Sequence, residues 1–563
     1  MRHPTRPSSK HSPPPALIRS SRLLLPAAVV VAAAAVVWLT LPLVQTGPLN
    51  VDEELTLRLA QYSFGHIFHI VSTKRGGGPL HFWLEHFVLG WSQSLWALRV
   101  PSLVFLCLAY PAVALIARRL LRADESAAAV VLLTAISPIP VLYATFGRPH
   151  TLLFAWLMWA TVLVLKAADE RRRWLWIAGG AALGLSVFVH PTAPLYALTA
   201  FGAAVLYAPG SWRERVRIAW PGAVALVVTF VPYYVKTLHV LSDRYGVGQS
   251  GTSGRTFDGR PVWVDALFYV APGKHEVNYF TLLAAVGLVA LALRRAYRVL
   301  VFCVATVAAP VLFFSVIPTS GDSALFFDRY MIPVTPAFLI AVCAGVFALA
   351  SWAGRFRLVV AVLIVAGLCG IELRADLAHR RVTKAIGIDS VVAAVSHEPP
   401  GTVLFGSTGT SGANFSAFDY GHPANILDHL VALRVSSLDY VDDDSCERVE
   451  PFLRGPQTPR YGLWLFYAAS PDETAAAARA LHATPIDGRY FAIRSKAPLA
   501  PRALIREGVR LRTAWRSAVP LNRRVNELLI ADRELLAGTC VPYGDLGDPD
   551  IDPHWPPVKQ KAQ

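Results

Sequence analysis

Residues 96–122 read WALRVPSLVFLCLAYPAVALIARRLLR. A predominantly apolar run over 96–117 ends at Arg118, Arg119 and Arg122. About 20 such residues, each rising about 1.5 Å along a helix, cross the hydrocarbon core of a bilayer. Arginines gathered just beyond such a run favour the cytoplasmic side. The stretch therefore reads as one transmembrane helix followed by an inner turn.

The rest of the chain repeats this unit. Apolar runs lie at 23–44, 96–117, 127–146, 151–167, 174–190, 192–208, 217–235, 277–293, 298–317, 331–350 and 357–373. They predict a polytopic α-helical membrane protein of about eleven spans, since a helix satisfies its own backbone where water is absent. Further basic clusters stand at Arg171/Arg172/Arg173, Arg213/Arg215/Arg217, Arg294/Arg295/Arg298 and Arg355/Arg357. Each cluster follows an even-numbered run, so a cytoplasmic N-terminus puts all of them inside. Residues 1–22, rich in Pro and Ser with scattered Arg, read as a disordered cytoplasmic tail. The run at 23–44 exceeds the roughly 7–15 apolar residues of a signal-peptide core and reads as a retained helix. The predicted location is the inner or plasma membrane, with everything after residue 371 outside.

Composition agrees. The 563 residues are 54% hydrophobic and 16% charged, against about 25% charged in soluble chains. The net charge of +15 sits in short clusters between apolar runs rather than in a stripe on a soluble surface, which argues against nucleic acid as a partner and for membrane lipids.

The predicted organisation is a tail (1–22), a transmembrane domain (23–375) and an extracytoplasmic α/β or α+β domain (376–563). Within the second, 46–95 is a long outer loop, in which Pro79–Leu89 is apolar but too short to span, hence interfacial or re-entrant. A second long outer loop is 236–276. In the last domain Thr402–Phe405, Gly462–Tyr467 and Tyr490–Ile493 read as strands, and Thr474–Leu481 and Arg523–Leu536 as helices. Cys446 and Cys540 are the two cysteines outside the apolar runs, and an oxidising compartment favours a disulfide between them.

Four outer stretches hold candidate chemistry. Asn50-Val51-Asp52-Glu53-Glu54 places carboxylates beside the membrane, either a hydrated helix end or a general base. Lys74-Arg75-Gly76-Gly77-Gly78-Pro79-Leu80-His81 joins two cations to glycines that let a backbone approach a ligand; the plain alternative is a flexible loop. His81 and Glu85 are helix neighbours at i, i+4, too few for a metal site. Arg148, in the short turn Tyr143–His150, is an arginine on the wrong side for topology, as is Arg329 in Asp328-Arg329-Tyr330. Either could grip a phosphate or carboxylate, and an Asp328–Arg329 structural pair is the alternative for the latter. His190 reads as packed or solvated.

In order, the chain carries an outer Asp52-Glu53, the Gly77-Gly78-Pro79-Leu80 segment with its aromatics, Leu98-Arg99-Val100-Pro101-Ser102, Ala117-Arg118-Arg119-Leu120, the Arg148 turn and Arg329-Tyr330. This set resembles the polytopic glycosyltransferases of the protein mannosyltransferase and aminoarabinose transferase type, glycosyltransferase family 39 and its relatives of GT-C fold, chiefly over 23–210. The resemblance implies a sugar donor on polyprenyl phosphate and hexosyl or pentosyl transfer, with inversion, to an extracytoplasmic hydroxyl of a glycan, lipid or protein. It implies Asp52 as the base with Glu53 beside it. Arg148 and Arg329 would hold the phosphate, with Lys74 and Arg75 as further donor-binding candidates and His81, His150 and Tyr330 as substrate-loop candidates. No cofactor is demanded, and a divalent ion (Mg or Mn) is left open. The aminoarabinose transferases' Lys-Pro-Pro-Leu is Gly77-Gly78-Pro79-Leu80 here, and the mannosyltransferases' His-Pro-Pro start is absent, so neither sugar nor acceptor carries over. A lipid-linked-sugar transporter or flippase and a noncatalytic envelope scaffold remain as alternatives.

Overall fold

The structure is a computed structural model. It describes residues 18–46, 51–75, 77–92, 94–245, 261–270, 277–316, 328–383, 388–406, 437–442, 452–467, 475, 478–479, 481–487 and 490–518. Cys446, Cys540 and Arg523–Leu536 lie outside the described residues, as does the tail up to residue 17.

Every apolar run is helical. The helices are α1 (Ile18–Thr46), α2 (Val51–Ala60), α3 (Phe64–Ile70), α4 (Pro79–Trp91), α5 (Leu95–Leu121), α6 (Asp124–Ala135), α7 (Pro138–Tyr143), α8 (His150–Glu170), α9 (Arg173–Leu185), α10 (Ala193–Tyr207), α11 (Trp212–Tyr245), α12 (Val262–Val270), α13 (Val277–Leu293), α14 (Tyr297–Val316), α15 (Thr335–Ala350), α16 (Arg357–Thr383), α17 (Ile388–Val395) and α18 (Pro501–Ala518). A π-helical turn, Val71–Arg75, and a 3₁₀ turn, Asp328–Val334, precede α4 and α15. Among the described residues six stretches are long and apolar enough to cross a membrane: Leu23–Val44, Trp96–Leu121, His150–Glu170, Trp212–Val240, Tyr297–Val316 and Arg329–Leu377. The last contains both α15 and α16, divided where Gly354 turns to φ 54°. Helices α9, α10 and α13 are apolar but shorter.

Several boundaries differ from the sequence reading. Helix α1 begins at Ile18, inside the stretch read as a disordered tail. The run at 127–146 is two helices, because Pro138 has no N–H to give to the preceding turn and its ring crowds that turn's carbonyl. Helix α11 continues ten residues past 235, and α12 lies within the stretch read as the second long loop. Helix α16 runs past 375, and Asp376 is buried in the bundle.

At the basic end of the bundle the turns are tight. Arg122, Arg171 and Arg295 sit at φ 55°, 53° and 53°, the left-handed conformation that ends a helix. Arg118 pairs with Asp124 at 2.8 Å and Arg119 with Asp169 at 2.7 Å. Inside the bundle α13 and α15 cross at Gly287 and Gly345, where a methyl on either would overlap the other helix's backbone. Small residues let membrane helices approach this closely.

The C-terminal region is a five-stranded mixed sheet, ordered β2-β1-β3-β5-β4. Its strands are β1 (Thr402–Gly406), β2 (Leu438–Asp442), β3 (Gly462–Tyr467), β4 (Thr484–Asp487) and β5 (Tyr490–Arg494). Strand β1 is parallel to β2 and β3, and β5 is antiparallel to β3 and β4. Alternation gives it two faces. Val403, Phe405, Trp464, Phe466 and Phe491 pack with Leu504, Ile505 and Leu511 of α18. Leu404, Leu463, Leu465 and Ala492 join Val391 and Val395 of α17 in a cluster that also holds Leu57 and Ala60 of α2, Leu89 of α4 and Leu98 of α5. One continuous core thus ties the sheet to the short helices at the other end of the bundle, opposite the arginine clusters.

Candidate active site

The site is built from that opposite end. Ser94 caps α5 by accepting from the Ala97 N–H at 3.1 Å, which places Arg99 in the next turn, fully buried. A buried guanidinium needs a carboxylate with matching geometry. Glu53, also fully buried, supplies it: Arg99 Nε donates to Oε1 and Nη2 to Oε2, each at 2.8 Å. Arg99 Nη1 donates further to the Leu43 carbonyl at 3.2 Å. The pair therefore joins α1, α2 and α5.

The third partner is the turn before α8. The Gly147 N–H donates to Glu53 Oε1 at 2.7 Å, and the Gly147 carbonyl accepts from Thr56 Oγ1 and from His81 Nε2, both at 3.1 Å. Ser102 Oγ donates to the Arg148 carbonyl at 3.2 Å. The position must be glycine, since a Cβ there would lie 2.8 Å from the Leu98 carbonyl oxygen and closer still to its side chain. Elements α2, α4 and α5 thus converge on the backbone that presents Arg148.

His81 is buried on α4, and burial together with the Arg148 cation pushes its imidazole down to about 3. Its neighbour Glu85 is pushed well above the usual carboxylate range by burial and by the Glu53 charge. The sequence candidate His81 thus supports the turn, while the π-turn carrying Lys74 and Arg75 packs against α11 and α3. In that segment Tyr233 Oη donates to the Gly77 carbonyl at 2.7 Å. A Cβ on Gly78 would strike the backbone of Phe188 and Val189. Gly78 thus allows this close backbone packing. Asp52 lies in the first turn of α2 beside Glu53; the side chains of Asp52, Lys74 and Arg75 lie outside the described atoms.

Two residues beyond Arg148 the same turn reaches a second group. His150, buried, lies edge-on to Tyr143 at 5.0 Å and against His190 at 5.2 Å, and His190 faces Tyr330 at 6.0 Å. His190 Nδ1 lies 3.2 Å from the Thr192 N–H and 2.8 Å from its hydroxyl. His150 Nε2 has no hydrogen-bond partner among the described residues. His150, Thr192, Tyr196, Arg329, Tyr330 and Pro333 line a narrow, closely packed cleft. Tyr196 and Pro333 also line a groove of about 30 Å³ between the helices, walled by apolar residues such as Ile116, Met158, Phe302 and Ile340.

His150, Arg329 and Tyr330, chosen from two separate stretches of sequence, line one cleft, and Arg148 stands two residues before His150 in the same turn. His190 and Thr192 join them, although the sequence offers no periodicity that singles them out. Arg99 was visible as a charge in an apolar run, a position that usually has a task. Among the described residues no three His, Cys, Asp or Glu side chains converge as a metal site.

Residues 76–235 match the family model of dolichyl-phosphate-mannose-protein mannosyltransferases. No curated protein matches the chain in sequence. Among solved structures, ArnT from Cupriavidus metallidurans bound to undecaprenyl phosphate is 16% identical with a TM-score of 0.50, over 85% of this chain and 98% of that one. Its apo state gives 15% and 0.50 over the same shares. An Archaeoglobus fulgidus oligosaccharyltransferase is 12% identical with a TM-score of 0.42, over 74% of this chain and 63% of that one. The chain is a polytopic membrane protein of GT-C fold, and its residues 76–235 carry the pattern of the protein mannosyltransferases.

Proposed function

We propose that the protein is a glycosyltransferase that moves a sugar from a polyprenyl-phosphate donor to an acceptor hydroxyl at the extracytoplasmic face of the cell membrane. The observation that carries this reading is the polar cleft of His150, Thr192, Arg329 and Tyr330 opening onto an apolar groove between helices. A phosphate with a hydrocarbon tail has that same division of polarity. ArnT, of like fold, is seen with undecaprenyl phosphate. The arginine clusters at the far end of the bundle support a cytoplasmic N-terminus and an outer cleft.

The chemistry is one displacement with inversion. The acceptor oxygen attacks the anomeric carbon as the bond from that carbon to the phosphate oxygen breaks, and the bonding pair leaves with the phosphate. Asp52 takes the acceptor's proton. Charge grows on the leaving phosphate, where Arg329 and Arg148 stabilise it more in the transition state than in the bound donor, and His150 Nε2 offers a further donor. Lys74 and Arg75 lie on the donor side. Glu53 holds α2 through Arg99, so that Asp52 stands on a fixed helix. Both Glu53 oxygens accept from Arg99 and one also from the Gly147 N–H, so Glu53 is committed to holding α2, and every step here is assigned to side chains.

Purified protein in liposomes, given a polyprenyl-phosphate sugar and a mixed envelope extract, tests the reading. Labelled sugar in an acceptor and stoichiometric release of polyprenyl phosphate support it. Movement of intact donor across the bilayer with no transfer would establish the flippase reading instead.

A further inference from the structure

Glu85 has no part in the displacement just described, yet it is fully buried and both its carboxyl oxygens lack a hydrogen-bond partner among the described residues. Leaving a buried polar group in this state is costly, and a specific instance calls for an explanation. Its Oε1 lies 3.9 Å from His81 Nδ1.

We propose that Glu85 is a positioning residue that holds the Arg148 turn through His81. The inference rests on the glycosyltransferase reading for its activity readout alone.

The hydrogen bonds fix the direction of the chain. The Gly147 carbonyl can only accept, so His81 Nε2 carries the proton that meets it at 3.1 Å. A neutral imidazole then has a bare lone pair on Nδ1, facing Glu85. Only a protonated carboxyl can donate to that lone pair; a carboxylate would face it with like polarity. The surroundings favour this neutral pair. Glu53 of α2 disfavours a second negative charge at Glu85, and Arg148 disfavours a positive one at His81. Arg99 of α5 is already bound to Glu53. In the proposed relay the Glu85 carboxyl turns toward His81 Nδ1 from its 3.9 Å separation and joins three bonds already in place: His81 Nε2 to the Gly147 carbonyl, the Gly147 N–H to Glu53, and Arg99 to Glu53. The relay crosses α4, the turn, α2 and α5, and the turn at its centre presents Arg148 and His150.

Ionising Glu85 removes the donor and frees the His81 ring to turn. Raising the pH through the lifted Glu85 value therefore loosens the Arg148 turn, although no group contacting the substrate has titrated. In Glu85→Gln the amide donates to Nδ1 at every pH, whereas Glu85→Leu of similar size cannot donate at all.

The test uses the full-length protein in lipid nanodiscs. Difference infrared spectra at neutral pH should show the carbonyl stretch of a protonated carboxylic acid, lost in Glu85→Gln. Nitrogen NMR of labelled histidine should show His81 as the Nε2–H tautomer. Transfer assays should give Glu85→Gln a kcat within about threefold of wild type, without the wild type's alkaline decline. Glu85→Leu should lower kcat at least about tenfold, about 1.4 kcal/mol, with donor KM little changed. An ionised Glu85 in the infrared spectrum, or an alkaline limb identical in wild type and Glu85→Gln, overturns the proposal. The spectroscopic results stand even if no transfer is found, so failure of the enzyme reading and failure of this one are told apart.

Discussion

Glu53 and Arg99 form a two-point ion pair, each contact 2.8 Å and both side chains essentially without solvent. Forty-six residues apart in sequence, they tie the short helix bearing Asp52 to the first turn of a membrane-spanning helix. Burying two charges is costly, and the cost is recovered only with full hydrogen bonding. Here Leu43 and Gly147 supply the remainder.

Removing one partner should therefore be worse than weakening the pair. Arg99→Ala leaves Glu53 charged and buried, and a loss of about 3–5 kcal/mol is expected. Thermal unfolding in detergent checks this. The double variant Arg99→Met/Glu53→Leu should recover part of the loss, as apolar replacement of a buried pair does elsewhere.

Gly147→Ala should destabilise by about 1–3 kcal/mol, the usual cost of overpacking, because its Cβ meets Leu98. It should also lower kcat more than it raises donor KM, since the displaced backbone carries Arg148. A variant with wild-type kcat would show that the turn's position does not matter to the reaction.

His81 makes stability depend on acid. Its folded value of about 3 lies below the ordinary 6.5, so the unfolded chain binds the proton more readily. The contribution is fully present above about pH 6.5 and is lost as pH falls toward about 3. His81→Gln keeps a donor for the Gly147 carbonyl, and its stability should be flatter between those limits by pH-jump unfolding.

Arg329→Ala should cost about 10²-fold in kcat/KM, the scale for removing one group that stabilises transition-state charge, with Arg329→Lys recovering only part of it.

Leu465→Asp would place a charge in the core shared by β3 and α2. The expected result is lost transfer activity while α5 to α16 stay folded, read by activity against circular dichroism. Unchanged activity would mean that the C-terminal sheet does not hold the helix of Asp52.

The bundle was legible because a bilayer leaves few options. Apolar length and the arginines at Arg118–Arg122, Arg171–Arg173 and their successors name the helices and their alternation. The strands β1, β3 and β5 were legible as bounded apolar runs, whereas β2 (Leu438–Asp442) and β4 (Thr484–Asp487) are mixed in polarity. Helix α18 was hidden, because Leu504, Ile505 and Leu511 make a thin stripe among arginines. In the site, Arg148 and Arg329 stood out as cations on the unexpected side. The partnership of Glu53 with Arg99, and of His150 with His190, depends on contacts between distant segments that no local pattern encodes.

The most direct test of the central claim is transfer from polyprenyl-phosphate sugar by the wild type and by Asp52→Asn, reconstituted side by side. The account predicts transfer by the wild type and a loss of about a hundredfold or more in the variant at equal folding, the scale of a general base. Donor that binds but is never cleaved by the wild type would contradict it.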